Sequence, residues 1–193
     1  IVEGTVIDRG FLSPYFVTDQ AKGVAELERV LVLIYNQTLS SAQSILPALE
    51  YAARSNHALL IIANDITSEA LQTLVLNKMK GSLSVCAIKA PEFGAARTIA
   101  LQDLAAICGA TVIAIDDTKV LQSDVASFLG SVDKVLVDKN ASVFIGTNQR
   151  EDDVNERIVA VKEVIESASS TESDVAIAKR RLRRLSEGIG IVR

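Results

Sequence analysis

Strand-length apolar runs alternate with helix-period segments along most of this chain, and that alternation restricts the fold more than any other feature. The runs fall at residues 30–35, 58–63, 83–90, 111–115, 132–137 and 141–145. Helix-period segments occupy several of the gaps, at 41–54, 68–80 and 95–108. Gly81 and Gly109 stand where a left-handed glycine closes a helix, and Ser68 is placed as an N-cap. Strands alternating with helices predict an α/β fold in which at least part of the sheet is parallel. Residues 132–145 read differently: two strand patterns flank Asp138-Lys139-Asn140, the signature of a β-hairpin. Helical patterns at 152–168 and 172–186 are joined by Ser169-Ser170-Thr171, which predicts an antiparallel helix pair at the C-terminal end. In the first of these, Val154, Ile158, Val161 and Ile165 form one apolar stripe.

The chain has 193 residues, and no compositional shift or low-complexity linker divides it. One domain over residues 1–193 is expected, large enough to bury about 70% of its extended surface. Apolar residues make up 49% of the chain but aromatics only 4%, so the core is to be built from Ala, Val, Ile and Leu. The net charge of −4 argues against a general nucleic-acid or anionic-membrane binder, which needs a basic field. No apolar run approaches the length of a membrane span, and no secretory signal is expected. Cys86 and Cys108 lie inside apolar runs and read as small buried hydrophobes, which fits a reducing compartment. The chain starts at Ile1-Val2-Glu3-Gly4 and ends at Gly190-Ile191-Val192-Arg193 in a strand-like pattern, so it is expected to be a domain excised from a longer protein.

No catalytic constellation can be assembled. His57 follows a helix and precedes a strand, with no cysteine or acidic motif around it, and reads as a loop or strand-edge residue. Asp116-Asp117 and Asp152-Asp153 could bind Mg²⁺, but turns and helix N-termini use such doublets as well. No phosphate-loop, dinucleotide or nucleophile-elbow motif occurs, and Gly188-Ile189-Gly190 lacks a following helix. Lys179-Arg180-Arg181 with Arg183-Arg184 could contact phosphate or RNA, or form a solvated helix face where cations favour the helix dipole. Asn64-Asp65 follows a strand at the position where α/β ligand sites often lie.

Apolar surface is in excess. Phe11-Leu12-Ser13-Pro14-Tyr15-Phe16 packs three aromatics around a proline, in a chain with only five Phe and three Tyr. Proline and its effect on the preceding residue predict a rigid extended strip, which can plug a core or offer apolar surface to a partner. In the helix at 68–80, Ala70 and Leu74 can face a sheet, but Leu71, Val75, Met79 and Leu76 continue the apolar arc to about 240°, far beyond the ~100° a surface helix needs. The preceding helix shows the same excess in Ile45, Leu46, Ala48, Leu49, Ala52 and Ala53. Either these helices pack on each other or they leave a shared apolar groove, and contiguous apolar patches usually bind something.

These segments resemble the apical domain of the GroEL-like family, the type I chaperonins. The matching motifs are Val2-Glu3-Gly4, Asp8-Arg9-Gly10-Phe11-Leu12-Ser13-Pro14-Tyr15-Phe16, Leu46-Pro47-Ala48-Leu49-Glu50, Leu59-Leu60-Ile61-Ile62-Ala63-Asn64-Asp65, Glu69-Ala70-Leu71-Gln72-Thr73-Leu74-Val75-Leu76-Asn77, Lys89-Ala90-Pro91-Glu92-Phe93-Gly94 and Ala100-Leu101-Gln102-Asp103. Their order and spacing hold from end to end. The resemblance implies a three-layer β/β/α swivelling domain that captures non-native polypeptides and binds the lid co-chaperonin in the same groove, between two helices and an extended segment. It assigns Phe11, Tyr15 and Phe16 to the extended segment, Leu46 and Leu49 to the first helix, and Leu71, Val75 and Leu76 to the second. Asn77 and Lys80 form the polar rim, and Gly4 and Gly188 the hinges.

The resemblance further implies no enzymatic activity in this domain, with ATP and Mg²⁺ belonging to a longer parent chain that adds an equatorial ATPase domain and an intermediate domain. It also implies a double ring of chaperonin subunits in the bacterial cytoplasm or an organelle interior. The chain departs from the family where Glu92 replaces a second glycine. Ala95, Ala96 and Thr98 replace Asp, Arg and Lys, Asn64 replaces Glu, and Glu187-Gly188 replaces Gly-Gly. Two readings of other classes remain open: a structural oligomerisation domain, and a small-molecule enzyme built on the Asn64-Asp65 loop.

Overall fold

The computed structural model describes residues 4–81, 83–113 and 124–187. It is a mixed α/β fold whose centre is a six-stranded sheet in the order β1-β8-β7-β2-β4-β6. The strands of that sheet are β1 (Thr5–Ile7), β2 (Ala25–Ile34), β4 (Ala58–Ala63), β6 (Val85–Lys89), β7 (Gly130–Val137) and β8 (Ser142–Thr147). β3 (Thr38–Leu39) and β5 (Asp65–Ile66) form a separate parallel pair. The helices are α1 (Leu46–Ser55), α2 (Ser68–Met79), α3 (Gly94–Cys108), α4 (Glu151–Glu166) and α5 (Glu172–Glu187).

Half of the sheet is parallel and half antiparallel, and the boundary runs through β2. On one side β2, β4 and β6 run parallel, linked through α1 and α2. On the other, β7, β8 and β1 add antiparallel ribs. β2 changes character along its length accordingly. Exposed Glu26 and Glu28 alternate with buried Ala25 and Leu27, then every residue from Val30 to Ile34 is buried. Arg29, at φ 55°, marks the switch. β4 is buried at all six positions because both of its faces are covered, as expected of a parallel central strand. The charged first half of β2 lies outside the predicted strand for this reason: alternating Glu and Leu are less conspicuous than a continuous apolar run.

The predicted hairpin is present. Asp138 Oδ1 accepts the backbone N–H groups of Asn140 and Ala141, both at 2.7 Å, and so closes the β7–β8 turn. Gly81 and Gly109 both adopt left-handed φ after α2 and α3. α4 and α5 pack side by side. Thr171 starts α5 with a reciprocal cap: its Oγ1 accepts from Asp174 N at 3.0 Å, while Asp174 Oδ2 accepts from Thr171 N at 3.3 Å.

Several expectations need correction. The helix expected over 41–54 begins at Leu46; ahead of it lies a 3₁₀ turn, Ala42–Ser44. Pro47 has no N–H to bond backward and favours the first turn, so the helix starts there. Ser68 is the first residue of α2, and the cap position is Thr67, whose side chain makes no capping bond. Of the strand expected at 111–115, Ile113 makes a single bridge to Tyr35, and residues 114 and 115 lie outside the described residues. Asp116-Asp117, Gly188 and Gly188-Ile189-Gly190 lie outside them as well. Among the described residues no helix is long and apolar enough to cross a membrane.

Candidate functional site

The strip at residues 11–16 is extended only to Ser13. Ser13, at φ −148° and ψ 137°, obeys the restriction on a residue before proline. Pro14–Phe16 then turn into one 3₁₀ helix, against the expectation of an extended strip throughout. Proline suits the first position of such a turn, and Ser13 Oγ caps it by accepting from Tyr15 N at 3.2 Å. The strip is anchored by backbone bonds. Phe11 N donates to Asp138 O at 3.1 Å and Leu12 N to Ala87 O at 3.0 Å, which ties the strip to the hairpin turn and to β6. A side chain at Gly10 would collide with the backbone of Asp138 and Lys139, so only glycine lets the strip lie this close to the turn.

A 3₁₀ turn rotates successive side chains by about 120°. Tyr15 and Phe16 therefore part company: Tyr15 is 60% exposed, while Phe16 is fully buried in the core. Phe16 is thus a packing residue and is not available at a surface groove.

α2 settles its apolar excess as the angular count requires. Ala70 and Leu74 are buried. Leu71 and Val75 are half-buried on the flank, and Leu76 (55%) and Met79 (64%) are exposed. Between this flank and the strip runs an open trough of about 420 Å³, lined by Ser13, Tyr15, Leu71, Gln72, Val75 and Leu76. Its walls are almost entirely apolar. One polar bond holds its two sides together: Lys78 Nζ donates to Val17 O at 3.0 Å, tying α2 to the end of the strip.

The first helix contributes less than expected. Ile45, Ala48, Leu49 and Ala52 are buried at i, i+3, i+4 and i+7 spacing, so they form the core stripe of α1. Leu49, at 4% exposure, belongs to that stripe and not to a groove. Leu46 is 40% exposed but does not line the trough. The 3₁₀ turn Ala42–Ser44 contacts both α1 and α2. The trough among the described residues therefore lies between the strip and α2.

Of the remaining predicted residues, Phe11 is partly buried beside Ile88. Asn77 turns back on its own helix, with Nδ2 donating to Thr73 O at 2.8 Å, and Lys80 is exposed just beyond α2. Gly4 precedes β1 where a Cβ would strike the carbonyl of Phe144 on the paired strand, so close approach alone requires glycine there. Sequence reasoning missed three residues, one of them Ser13, which lines the trough beside Tyr15. Gln72 lines the trough and Lys78 ties α2 to the strip; the spacing of Lys78 four residues after Leu74 is the signal that could have placed it there.

Asn64, Asp65, His57 and Asp153 each bond to near neighbours in the fold. Asn64 donates to Asn36 Oδ1 at 3.3 Å, and Asp65 Oδ1 accepts from the neighbouring Ile66 N at 2.8 Å. His57 Nδ1 lies 2.9 Å from Ser55 Oγ at the end of α1. Asp152 and Asp153 occupy the first turn of α4, and Asp153 pairs with Arg150 and Arg157. Both cysteines are buried, and burial pushes each thiol up to about 12, far from any reactive range.

The basic cluster of α5 is mostly not a solvated face. Arg181 makes a two-pronged pair with Asp103, at 2.7 and 3.0 Å, and Arg157 reaches the same carboxylate at 3.1 Å. Asp103 is completely buried. Arg180 grips Glu92 at 2.6 and 2.8 Å. These pairs hold α5 against α3 and against the loop before it. No protein-family model matches this chain.

Proposed function

We propose that this chain is a chaperonin apical domain of the GroEL-like type, with the three-layer β/β/α architecture of that family. Its role is to hold non-native polypeptides in the trough beside α2 and to receive the apolar loop of a lid co-chaperonin there. The observation that carries this reading is the trough itself: Tyr15, Leu71, Val75 and Leu76 form an open apolar channel that the core does not fill. The sequence motifs described above run through the same residues.

The physical chemistry suits a promiscuous binder. An unfolded chain displays Leu, Val and Phe in no fixed order, so its capture has to rest on desolvation, at about 25 cal/mol per Å² buried, less the cost of ordering. A trough of this size binds weakly, with Kd on the order of 10–100 μM. Several copies around a ring multiply that affinity through effective concentration. A lid loop entering the same channel releases the polypeptide by competition, docking either as a helix or as an added strand.

The test is binding of a permanently unfolded polypeptide, with the lid-loop peptide as competitor. Binding that the peptide displaces supports the proposal. A chain that self-associates through the trough and binds neither ligand would support a structural oligomerisation domain in its place.

A further inference from the structure

The trough beside α2 offers apolar walls and hardly any hydrogen-bonding group among the described residues, and that shortage selects the conformation of what it holds. No backbone N–H from Pro14 to Val17 is free to start a ladder. Pro14 has none. Tyr15 N donates to Ser13 Oγ, Phe16 N to Ser13 O and Val17 N to Pro14 O, each at 3.2 Å. Earlier in the strip, Phe11 N and Leu12 N are already engaged by Asp138 O and Ala87 O. Val17 O accepts from Lys78 Nζ. The opposite wall is the side-chain surface of α2, whose mid-helix backbone groups bond within the helix.

An extended segment laid in this trough would press its own N–H and C=O groups against apolar walls with no ladder to join. Each group dried in that way forfeits its hydrogen bond to water and gains none in return. A helix satisfies its backbone internally and presents only an apolar stripe, so its docking dries little besides hydrocarbon.

The rim supplies a direction. Glu69, Leu76 and Lys80 stand at i, i+7 and i+11 on one edge of α2, and all three are exposed. The acid and the base are thus separated by about 16 Å along the helix axis, roughly three turns. Helices favour acids in the first turn and bases in the last. A docked helix antiparallel to α2 brings its acidic first turn to Lys80 and its basic last turn to Glu69, with the two helix dipoles opposed.

We propose that the trough takes an amphipathic helix of about three turns, antiparallel to α2, acidic in its first turn and basic in its last. This rests on the polypeptide-binding reading above and selects the helix from its two docking modes.

Three labelled peptides of one composition, each of about 14 residues, are titrated with the chain by fluorescence anisotropy. The first has apolar residues at i, i+3, i+4, i+7 and i+11, Glu in its first turn and Lys in its last. The second exchanges Glu and Lys, and the third alternates apolar and polar residues as a strand. The first is expected to bind ~10-fold tighter than the third and about threefold tighter than the second. Exchanging the rim charges, Glu69→Lys with Lys80→Glu, should invert the preference between the two helices. A strand peptide that binds as tightly as the first, or a first peptide that does not bind, overturns the helix assignment; the trough reading survives if an unfolded polypeptide still binds and falls if it does not. Equal binding of the two helices by both the parent and the charge-exchanged variant overturns the direction.

Discussion

The trough along α2 and the contacts of α5 depart from the ordinary rule of burial in opposite directions. At the trough, apolar side chains stay at the surface: Tyr15 and Leu76 are more than half exposed while Ala70 and Leu74 of the same helix are sealed. Around α5, charged side chains go inside: Asp103 is fully buried between Arg157 and Arg181, and Arg184 is buried beside Glu92. Greasy surface costs little in stability but is adhesive, whereas a buried ion network is strict about geometry and intolerant of a missing member. The first region is therefore suited to contact with varied partners, and the second to holding three helices in one arrangement.

The comparison breaks most sharply at Asp103. Asp103→Ala leaves Arg181 without its carboxylate and Arg157 with Asp153 alone, and is expected to destabilise the fold by about 3 kcal/mol in chemical denaturation. Its folded fraction should bind unfolded polypeptide as the parent does. Tyr15→Glu should show the reverse: at least a ~10-fold loss of polypeptide binding, about 1.4 kcal/mol, with a thermal midpoint moved by no more than ~2 °C. Val75→Ser lies between these because Val75 is half-buried. A binding loss of about threefold and a stability loss of about 1 kcal/mol are expected from its reduced apolar contact. Binding can be followed by fluorescence anisotropy of a labelled unfolded chain.

Glu92 combines strain with a clamp, so two opposing effects meet there. It holds a left-handed φ of 64°, where glycine is at ease, and its carboxyl is kept below the usual range, chiefly by the hydrogen bonds from Arg180. Glu92→Gly relieves the left-handed backbone but removes the carboxylate beside Arg180 and buried Arg184, so a net loss of about 1–2 kcal/mol near neutral pH is expected. The pH dependence is more telling. Because the folded state favours ionised Glu92, its contribution is in place above the ordinary glutamate pKa of about 4.3 and is lost as pH falls through the lowered folded value. Parent stability should therefore fall more steeply than that of Glu92→Gly on going from about pH 5 to about pH 3, measured by urea unfolding.

What was legible in the sequence follows what each signal depends on. β4 was found with its bounds, and α2 and α3 to within a residue, because a continuous apolar run or a helical period is local information. Ala70 and Leu74 were placed inward from angles alone, and they are buried. Short β1 and the charged half of β2 were not visible, since three residues carry no period and Glu-Leu-Glu-Arg masks a strand. The fates of Phe16 and Leu49 depended on geometry that propensity does not report: a 3₁₀ turn that separates neighbouring aromatics, and a helix start set by Pro47. The α5 clamp joins residues up to 88 positions apart in sequence. One local hint of it existed, because Asp103 sits among Leu101, Leu104, Ala105 and Ala106, and an acid on the inner face of an apolar helix calls for a cation.

The central claim, that the channel between the strip and α2 is a binding surface, is tested most directly by mapping an unfolded polypeptide onto the chain by NMR. Saturable shifts centred on Tyr15, Leu71, Val75 and Leu76, with a midpoint on the order of 10–100 μM and loss of the response in Tyr15→Glu, are the predicted result. No response at those residues, or one centred elsewhere and indifferent to Tyr15→Glu, would contradict it.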